Sequence, residues 1–138
     1  MTGEYQHSLD AKGRLFIPAR LREELGPEFY LTVSGEKCLH AYDAESWHAL
    51  EEKAKALPIV AKKNARVLFS SACKCEPDSQ GRILIPQSLR AFANLTKNVA
   101  VLGVNDHAEF WDSEAWEATK AEVMTPEMIA AMLQELGL

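Results

Sequence analysis

Thirteen residues near the start of this chain return 68 positions later, and that duplication limits the possible folds before any local preference is considered. The segment DAKGRLFIPARLR at 10–22 matches DSQGRILIPQSLR at 78–90, with Asp, Gly, Arg, Ile, Pro, Leu and Arg identical in register. Farther along, YDAESW at 42–47 matches WDSEAW at 111–116 at an offset of 69, so one residue is inserted between the two matching blocks. One plan is written twice. A copy of roughly 45 ordered residues is too small to hold a stable core alone, so the copies must complete one another. No Gly/Ser linker separates them, which predicts that they pack together as one folding unit. The expected division is repeat one at 1–48, connecting helices at 49–72, repeat two at 73–119 and a helical tail at 120–138.

Within each copy the pattern reads strand, turn, strand, short helix, then a further pair of strands. Asp10 and Gly13 sit at the first and fourth positions of a predicted β-turn, as do Asp78 and Gly81, and the Asp carboxylate can accept from nearby backbone N–H groups. Arg14 to Ile17 and Arg82 to Ile85 are branched and apolar after the arginine, as expected of strands buried on both faces. Pro18 and Pro86 end those strands and suit the first helical position, while Gly26 and Asn94 stand where a left-handed cap belongs. Phe29–Val33 with Cys38–Tyr42, and Val99–Leu102 with His107–Trp111, read as paired strands around Ser34-Gly35 and Gly103–Asp106. Asp43 and Asp112 are predicted helix N-caps. A core-facing stripe of Trp47, Leu50, Ala54 and Leu57 is interrupted by Pro58, and a second helix is expected from about Ile59 to Phe69.

Charge is distributed unevenly along the chain. The formal net charge of -5 argues against a nucleic-acid partner, because phosphate binding is carried by basic surface. By segment, however, residues 1–35 carry -1, 36–60 carry -2, 61–98 carry +5 and 99–138 carry -7, which leaves a basic centre and an acidic tail. The polar opening residues Met1 to Asp10 do not resemble a signal peptide, and no stretch approaches bilayer length. An odd count of three cysteines suits a reducing compartment, so a soluble, cytoplasmic protein with no membrane partner is expected.

The paired Asp-x-x-Gly-Arg-Leu/Ile-x-Ile-Pro blocks, with the preceding GEYQHSLDAKGR at 3–14, resemble the MraZ family, whose two halves are each similar to the AbrB/SpoVT DNA-binding module. The likeness covers residues 1 to about 119, and it is the tandem arrangement that makes it specific. It implies an α+β fold, a swapped-hairpin AbrB-like β-barrel formed by the two repeats, with short helices and a helical connection. It further implies a nucleoid-associated transcriptional regulator that assembles into homo-oligomeric rings and binds direct repeats in double-stranded promoter DNA upstream of the division and cell-wall gene cluster. The family's Asp-x-x-x-Arg motifs fall on Asp10 with Arg14 and Asp78 with Arg82, and the turn residues expected to approach phosphate are Lys12, Gly13, Gln80 and Gly81. Copy two has Gln80 where copy one has Lys12, a weaker charge at that point.

Each candidate also has a plainer reading. Arg14 and Arg82 can present a guanidinium fork to a guanine edge or a phosphate, or simply pair with Asp10 and Asp78; the two roles are compatible, since a carboxylate can fix an arginine for DNA. Arg20, Arg22 and Arg90 are secondary basic candidates whose plainer role is a solvated helix face. Glycines 13 and 81 allow either close approach to phosphate or merely a tight turn. The basic run Lys62, Lys63 and Arg66 reads as a solvated helix surface. Cys73 and Cys75 share one side of a strand and Cys38 can in principle join them, but no fourth ligand is suggested, and His7, His40, His48 and His107 show no ligand spacing. No metal and no cofactor are predicted. No nucleophile-elbow or phosphate-loop motif occurs, and each Asp stands beside an arginine that keeps it ionised, so an enzyme is not expected. An alternative is an AbrB-like antitoxin or protein-interaction module, using Met124, Met128, Ile129, Met132 and Leu133 as one face of a partner-binding helix.

Overall fold

The computed structural model describes residues 1–138 as an α+β protein. The first copy contributes β1 (Glu4–Ser8), β2 (Arg14–Phe16), α1 (Ala19–Leu25), β3 (Phe29–Val33), β4 (Leu39–Asp43) and α2 (Ala44–Lys55). After α3 (Ile59–Ser70), the second copy repeats that order with β5 (Cys73–Cys75), β6 (Arg82–Leu84), α4 (Gln87–Phe92), β7 (Asn98–Val104), β8 (His107–Asp112) and α5 (Ser113–Val123), and α6 (Pro126–Glu135) closes the chain.

Six strands form one antiparallel sheet in the order β1-β7-β8-β4-β3-β5, and β2 pairs with β6 in a separate two-stranded ribbon. The copies exchange strands throughout. β1 of copy one pairs with β7 of copy two, and β5 of copy two pairs with β3 of copy one. The centre of the sheet is the β4–β8 pair, where His40 lies opposite Glu109, two positions equivalent by the 69-residue offset. A pseudo-two-fold axis therefore passes between the halves. The expected closed barrel is not observed: the sheet ends at β1 and β5, and β2 and β6, three residues each and stopped by Pro18 and Pro86, pair only with one another.

A single cluster of 19 buried residues draws on both copies, including Leu15, Ile17, Leu21, Leu31 and Leu39 from the first and Ile83, Ile85, Leu89, Val101 and Phe110 from the second. Burying each such side chain contributes about 1.5–3 kcal/mol, and truncating one to alanine would cost about 2–5 kcal/mol. Neither half can gather that interior alone, which is the physical reason the repeats are interleaved.

Local chemistry explains most element ends. Asp43 accepts from the Ser46 N–H at 2.7 Å and Asp112 from the Ala115 N–H at 3.1 Å, as N-caps do. Glu45 in the first turn of α2 and Lys53 and Lys55 in its last turn complement the helix dipole. Asn94, at φ 52, closes α4 while the Leu95 N–H reaches the Arg90 carbonyl at 2.9 Å, the bonding of a left-handed cap.

Four local expectations are corrected. Gly26 has positive φ (85) but ψ of -179, not left-handed helical, because the residue before Pro27 is pushed toward extended ψ. Pro18 and Pro86 occupy the N-cap positions, one residue ahead of the first helical position. The β2 and β6 strands are buried on one face only: Leu15 and Ile83 point inward, while Phe16 is half-buried and Leu84 is 61% exposed. A two-stranded ribbon has only one covered side. On α2, Trp47 is buried and Leu50 and Ala54 are half-buried, but the helix stops at Lys55, before Pro58, and leaves Leu57 exposed.

Candidate nucleic-acid interface

The most distinctive local structure is the Asp-x-x-Gly-Arg turn, built twice. In the first, the Gly13 N–H donates to the Asp10 carbonyl at 3.0 Å, the bond that closes a β-turn. Asp10 Oδ1 accepts from the backbone N–H groups of Lys12 and Arg14, each at 2.9 Å, and Oδ2 accepts from Arg14 Nε at 2.6 Å. In the second, the Gly81 N–H donates to the Asp78 carbonyl at 2.9 Å, and Oδ1 of Asp78 accepts from the N–H groups of Gln80 and Arg82 at 2.9 Å. Arg82 sets both Nε and Nη2 3.0 Å from Oδ2 of Asp78. The backbone N–H of Arg14, followed by its guanidinium and the Lys12 N–H, holds the Asp10 carboxyl below the usual carboxylate range. The N–H groups of Arg82 and Gln80, then the Arg82 guanidinium, do the same for Asp78. Both acids are thus acceptor-only anchors that orient an arginine.

Gly13 and Gly81 have φ of 80 and 78, a region that strongly favours glycine. The structure adds a second requirement. Arg90, from α4 of copy two, lies across Gly13 so closely that a Cβ there would meet its Cζ at 3.0 Å. Reciprocally, Arg22 from α1 of copy one lies across Gly81, where a Cβ would meet its Cζ at 2.8 Å. Each of these arginines is held by its own copy, Arg22 Nε donating to the Ile17 carbonyl at 2.8 Å and Arg90 Nε to the Ile85 carbonyl at 2.9 Å. The main chains cross as well, the Ile17 N–H reaching the Gly81 carbonyl at 2.9 Å and the Ile85 N–H the Gly13 carbonyl at 3.0 Å. Arg22 and Arg90, secondary basic candidates whose plainer role was a solvated helix face, are half-buried and lie between the copies.

The ribbon connects the two turns. Arg14 is opposite Leu84 and Phe16 is opposite Arg82, while Leu15 opposite Ile83 faces the core. The outer face therefore carries the two arginines on one diagonal, separated by roughly 7 Å along the strands, and Phe16 and Leu84 on the other. Phe16 packs against His7, ring centroids 5.0 Å apart, with the Arg22 guanidinium 5.3 Å from its centroid. Around the ribbon, Lys12, Arg14, Arg22, Arg82 and Arg90 stand against the two carboxylates Asp10 and Asp78, so this end is locally cationic although the chain is acidic.

Other candidates lie elsewhere. Arg20 lines a small cavity with Thr2, Glu23 and Glu24, among acids rather than beside the turns. Lys62 and Arg66 on α3 face a groove of about 400 Å³ shared with Glu51 and Lys55 of α2. Cys73 and Cys75 have sulfurs 3.7 Å apart on β5, and Cys38 does not join them; it is buried in a second small cluster with Ala100, Leu102 and Trp111. Among the residues reasoning from sequence passed over, Phe16 and Leu84 were signalled by the period-2 alternation of β2 and β6, and the clamping role of Arg22 and Arg90 by their identity at equivalent repeat positions.

Such an intrachain duplicated α+β module, with two carboxylate-held arginines on one exposed ribbon, defines the class of this molecule. A family model described as "MraZ protein, putative antitoxin-like" matches it twice, at residues 1–70 and 68–132. It is similar to the transcriptional regulator MraZ of Caldicellulosiruptor saccharolyticus, 46% identical over 100% of this chain and 99% of that protein. The MraZ regulators of Pelotomaculum thermopropionicum and Acetivibrio thermocellus are 47% and 46% identical over 99% of this chain, and 97% and 98% of their own lengths. The chain belongs to the MraZ family of transcriptional regulators. No helix is long and apolar enough to cross a membrane.

Proposed function

We propose that this protein is a sequence-specific DNA-binding transcriptional regulator that reads double-stranded DNA with the β2–β6 ribbon and its two flanking turns. One observation carries the reading: Arg14 and Arg82, each fixed by an aspartate, project from the outer face of a two-stranded antiparallel ribbon. The major groove admits such a ribbon, and an arginine held in plane offers two donors to guanine O6 and N7. Asp10 and Asp78 orient the arginines, while the turn residues Lys12, Gly13, Gln80 and Gly81, whose N–H groups are used within the turns, approach phosphate as the tips of the ribbon, Lys12 with its charge and Gln80 with its side-chain amide. Arg22 and Arg90 supply nearby positive charge in addition to their clamping role, whereas Arg20 is left out of the interface. The chemistry is recognition, not catalysis.

Several finer features belong to the same reading. The exchange of β1 and β5 between copies supports a swapped-hairpin arrangement of the AbrB kind, built as an open sheet and a ribbon and not as a closed barrel, with repeats at 1–48 and 73–119 joined by 49–72. Copies of the chain assemble into a homo-oligomeric ring. The apolar residues exposed on α3 and α6, including Ile59, Val60, Val67, Met128 and Met132, provide surface for that association. A ring presents several ribbons to direct repeats in promoter DNA, and linkage at roughly millimolar effective concentration offsets the few phosphate contacts an acidic chain makes. The target is the division and cell-wall gene cluster, and the working location is the cytoplasm, on the nucleoid. A second reading, an antitoxin-like or protein-interaction module, is favoured by the exposed α6 face and the family description.

The experiment is a titration of the native protein and of a folded Arg14→Ala, Arg82→Ala double variant against DNA from its own upstream region and a scrambled control, at several salt concentrations. Selective binding lost in the variant is expected. Absence of selective binding by the native protein overturns the regulator reading in favour of the interaction module.

A further inference from the structure

On the sheet face turned away from the main core, the β4–β8 pair gathers four ligand-type side chains at the seam between the copies. Along β4 and the residue before it, Cys38, His40 and Tyr42 alternate to this face; along β8, His107, Glu109 and Trp111 do the same. The 69-residue offset pairs Cys38 with His107 and His40 with Glu109 as equivalent repeat positions, so each copy supplies two donors. Ligand atoms of Cys38, His40 and Glu109 lie within 4.8 Å of one another. Glu109 Oε2 is 3.3 Å from His40 Nε2 and 2.8 Å from His107 Nε2.

We propose that Cys38 Sγ, His40 Nε2, His107 Nε2 and Glu109 Oε2 form a structural zinc site that staples the two repeats together. One thiolate, two imidazoles and one carboxylate are within the ordinary zinc ligand set, and four such donors complete a closed tetrahedral site. Zinc–ligand bonds of about 2.0–2.3 Å place tetrahedral neighbours about 3.5 Å apart. His40 Nε2 and Glu109 Oε2 already stand at 3.3 Å, whereas His107, which lies outside the Cys38–His40–Glu109 group, draws back from Glu109 and turns toward Cys38 on binding. The ion replaces the proton that His107 Nε2 now shares with Glu109 Oε2, and those two atoms separate from 2.8 Å to admit it. Binding displaces that proton and the thiol proton to solvent, and no electron transfer is involved.

The outer partners that a metal site uses to orient its ligands are already in place. Asp106 Oδ1 is 2.8 Å from His107 Nδ1, giving the carboxylate–histidine arrangement that presents Nε2 to a metal. The Tyr42 hydroxyl is 3.0 Å from His40 Nδ1, the Trp111 indole N–H donates to Glu109 Oε1 at 2.9 Å, and Ser34 Oγ is 3.3 Å from Cys38 Sγ. Every proposed ligand thus has one orienting neighbour. Cys38 is fully buried, while His40, His107 and Glu109 are 20%, 16% and 13% exposed at the side chain, which leaves a route for the ion.

The test uses the full-length protein stripped with chelator and titrated with zinc against a chromogenic chelator, and with cobalt(II) as a spectroscopic probe. The expected result is one zinc per chain, a thiolate-to-cobalt charge-transfer band, and a Tm that rises with zinc. Asp106→Asn should weaken zinc about 10–100-fold, the usual effect of losing a partner of a ligating histidine. His40→Gln and His107→Gln should weaken it further, and Cys38→Ser should abolish the charge-transfer band. Because Cys38 is buried and its variant can misfold, the two histidine variants at the edge of the site carry the test independently. Cys73→Ser should leave the band intact. Substoichiometric zinc, absence of the band in native protein, or a band that follows Cys73 overturns the proposal.

Discussion

The two Asp-x-x-Gly-Arg turns share one backbone but not one surface. At the first, Arg14 meets its aspartate through Nε at 2.6 Å, with exposed Lys12 beside it and Arg90 lying over Gly13. At the second, Arg82 donates from Nε to Asp78 at 3.0 Å, Gln80 replaces the lysine and Arg22 lies over Gly81. The first turn therefore has three cations and the second two. Duplication preserved what the main chain requires, namely Asp, Gly and the clamping arginine, while the side chains that face outward drifted apart. A surface built this way is pseudo-symmetric in shape and polarised in charge, so the interface proposed above would bind DNA with a preferred direction.

The largest test of that asymmetry is loss of both reading arginines. Arg14→Ala with Arg82→Ala should remove about 2–6 kcal/mol of sequence discrimination, at about 1–3 kcal/mol per bidentate contact, as measured against cognate and scrambled DNA. Arg14→Ala alone should have the larger share, because the charged Lys12 stands beside it where the second turn has neutral Gln80; equal losses from the two single variants would break the comparison.

Next come the glycines. Gly13→Ala and Gly81→Ala each force a positive φ on a residue with a Cβ, and each pushes against an arginine of the other copy, for an expected destabilisation of about 1–3 kcal/mol in urea unfolding. The two should be of similar size, since φ is nearly the same at both, 80 and 78, and the group met is in each case the end of an arginine side chain. Removing the clamps themselves, by Arg22→Ala or Arg90→Ala, should cost about 1.5 kcal/mol each, the size of a hydrogen bond from a charged donor. A cost near zero would return these arginines to the plainer reading, a solvated helix face.

A smaller effect separates Lys12 from Gln80. Lys12→Gln should lower the slope of log affinity against log salt by about 1, and Gln80→Lys should raise it by about 1, making the two turns electrostatically alike. Acid should do least. With the Asp10 and Asp78 carboxyls held below their usual range, their stabilisation is complete above the unfolded carboxyl value and is lost only as pH falls through the lower folded value. DNA binding and the turns should accordingly be insensitive between about pH 8 and 5, well above the ordinary Asp value of about 3.9. A midpoint inside that interval would show that the aspartates are not held as described.

Much of this molecule is legible in its sequence because a repeat carries its own control. The turns, the two proline-stopped strands, the N-caps at Asp43 and Asp112 and the helix after Pro58 follow from local chemistry, in which a residue's neighbours along the chain decide its conformation. The interdependence of the halves follows from size alone. Which strands would exchange did not, because pairing of β1 with β7 and of β5 with β3 is a choice among registers that the local pattern serves equally. The outward face of β2 and β6 was missed because an apolar residue such as Leu84 reads as core until the layer that would cover it is known to be absent. Arg22 and Arg90 read as surface for the converse reason: only the dyad brings each against the other copy's glycine.

His40 and His107 make the same point. Sixty-seven residues apart, they show no ligand spacing, yet the antiparallel pairing of β4 with β8 sets their rings 4.3 Å apart beside Glu109. By itself the sequence determined that there are two copies of one module, the conformation of each turn, and that an arginine follows each turn beside an aspartate. Only the tertiary structure decided which side chains of one copy meet those of the other. The reason is physical: turns and caps are settled by bonds spanning a few residues, whereas contacts across a dyad depend on which long-range pairing best buries a shared core.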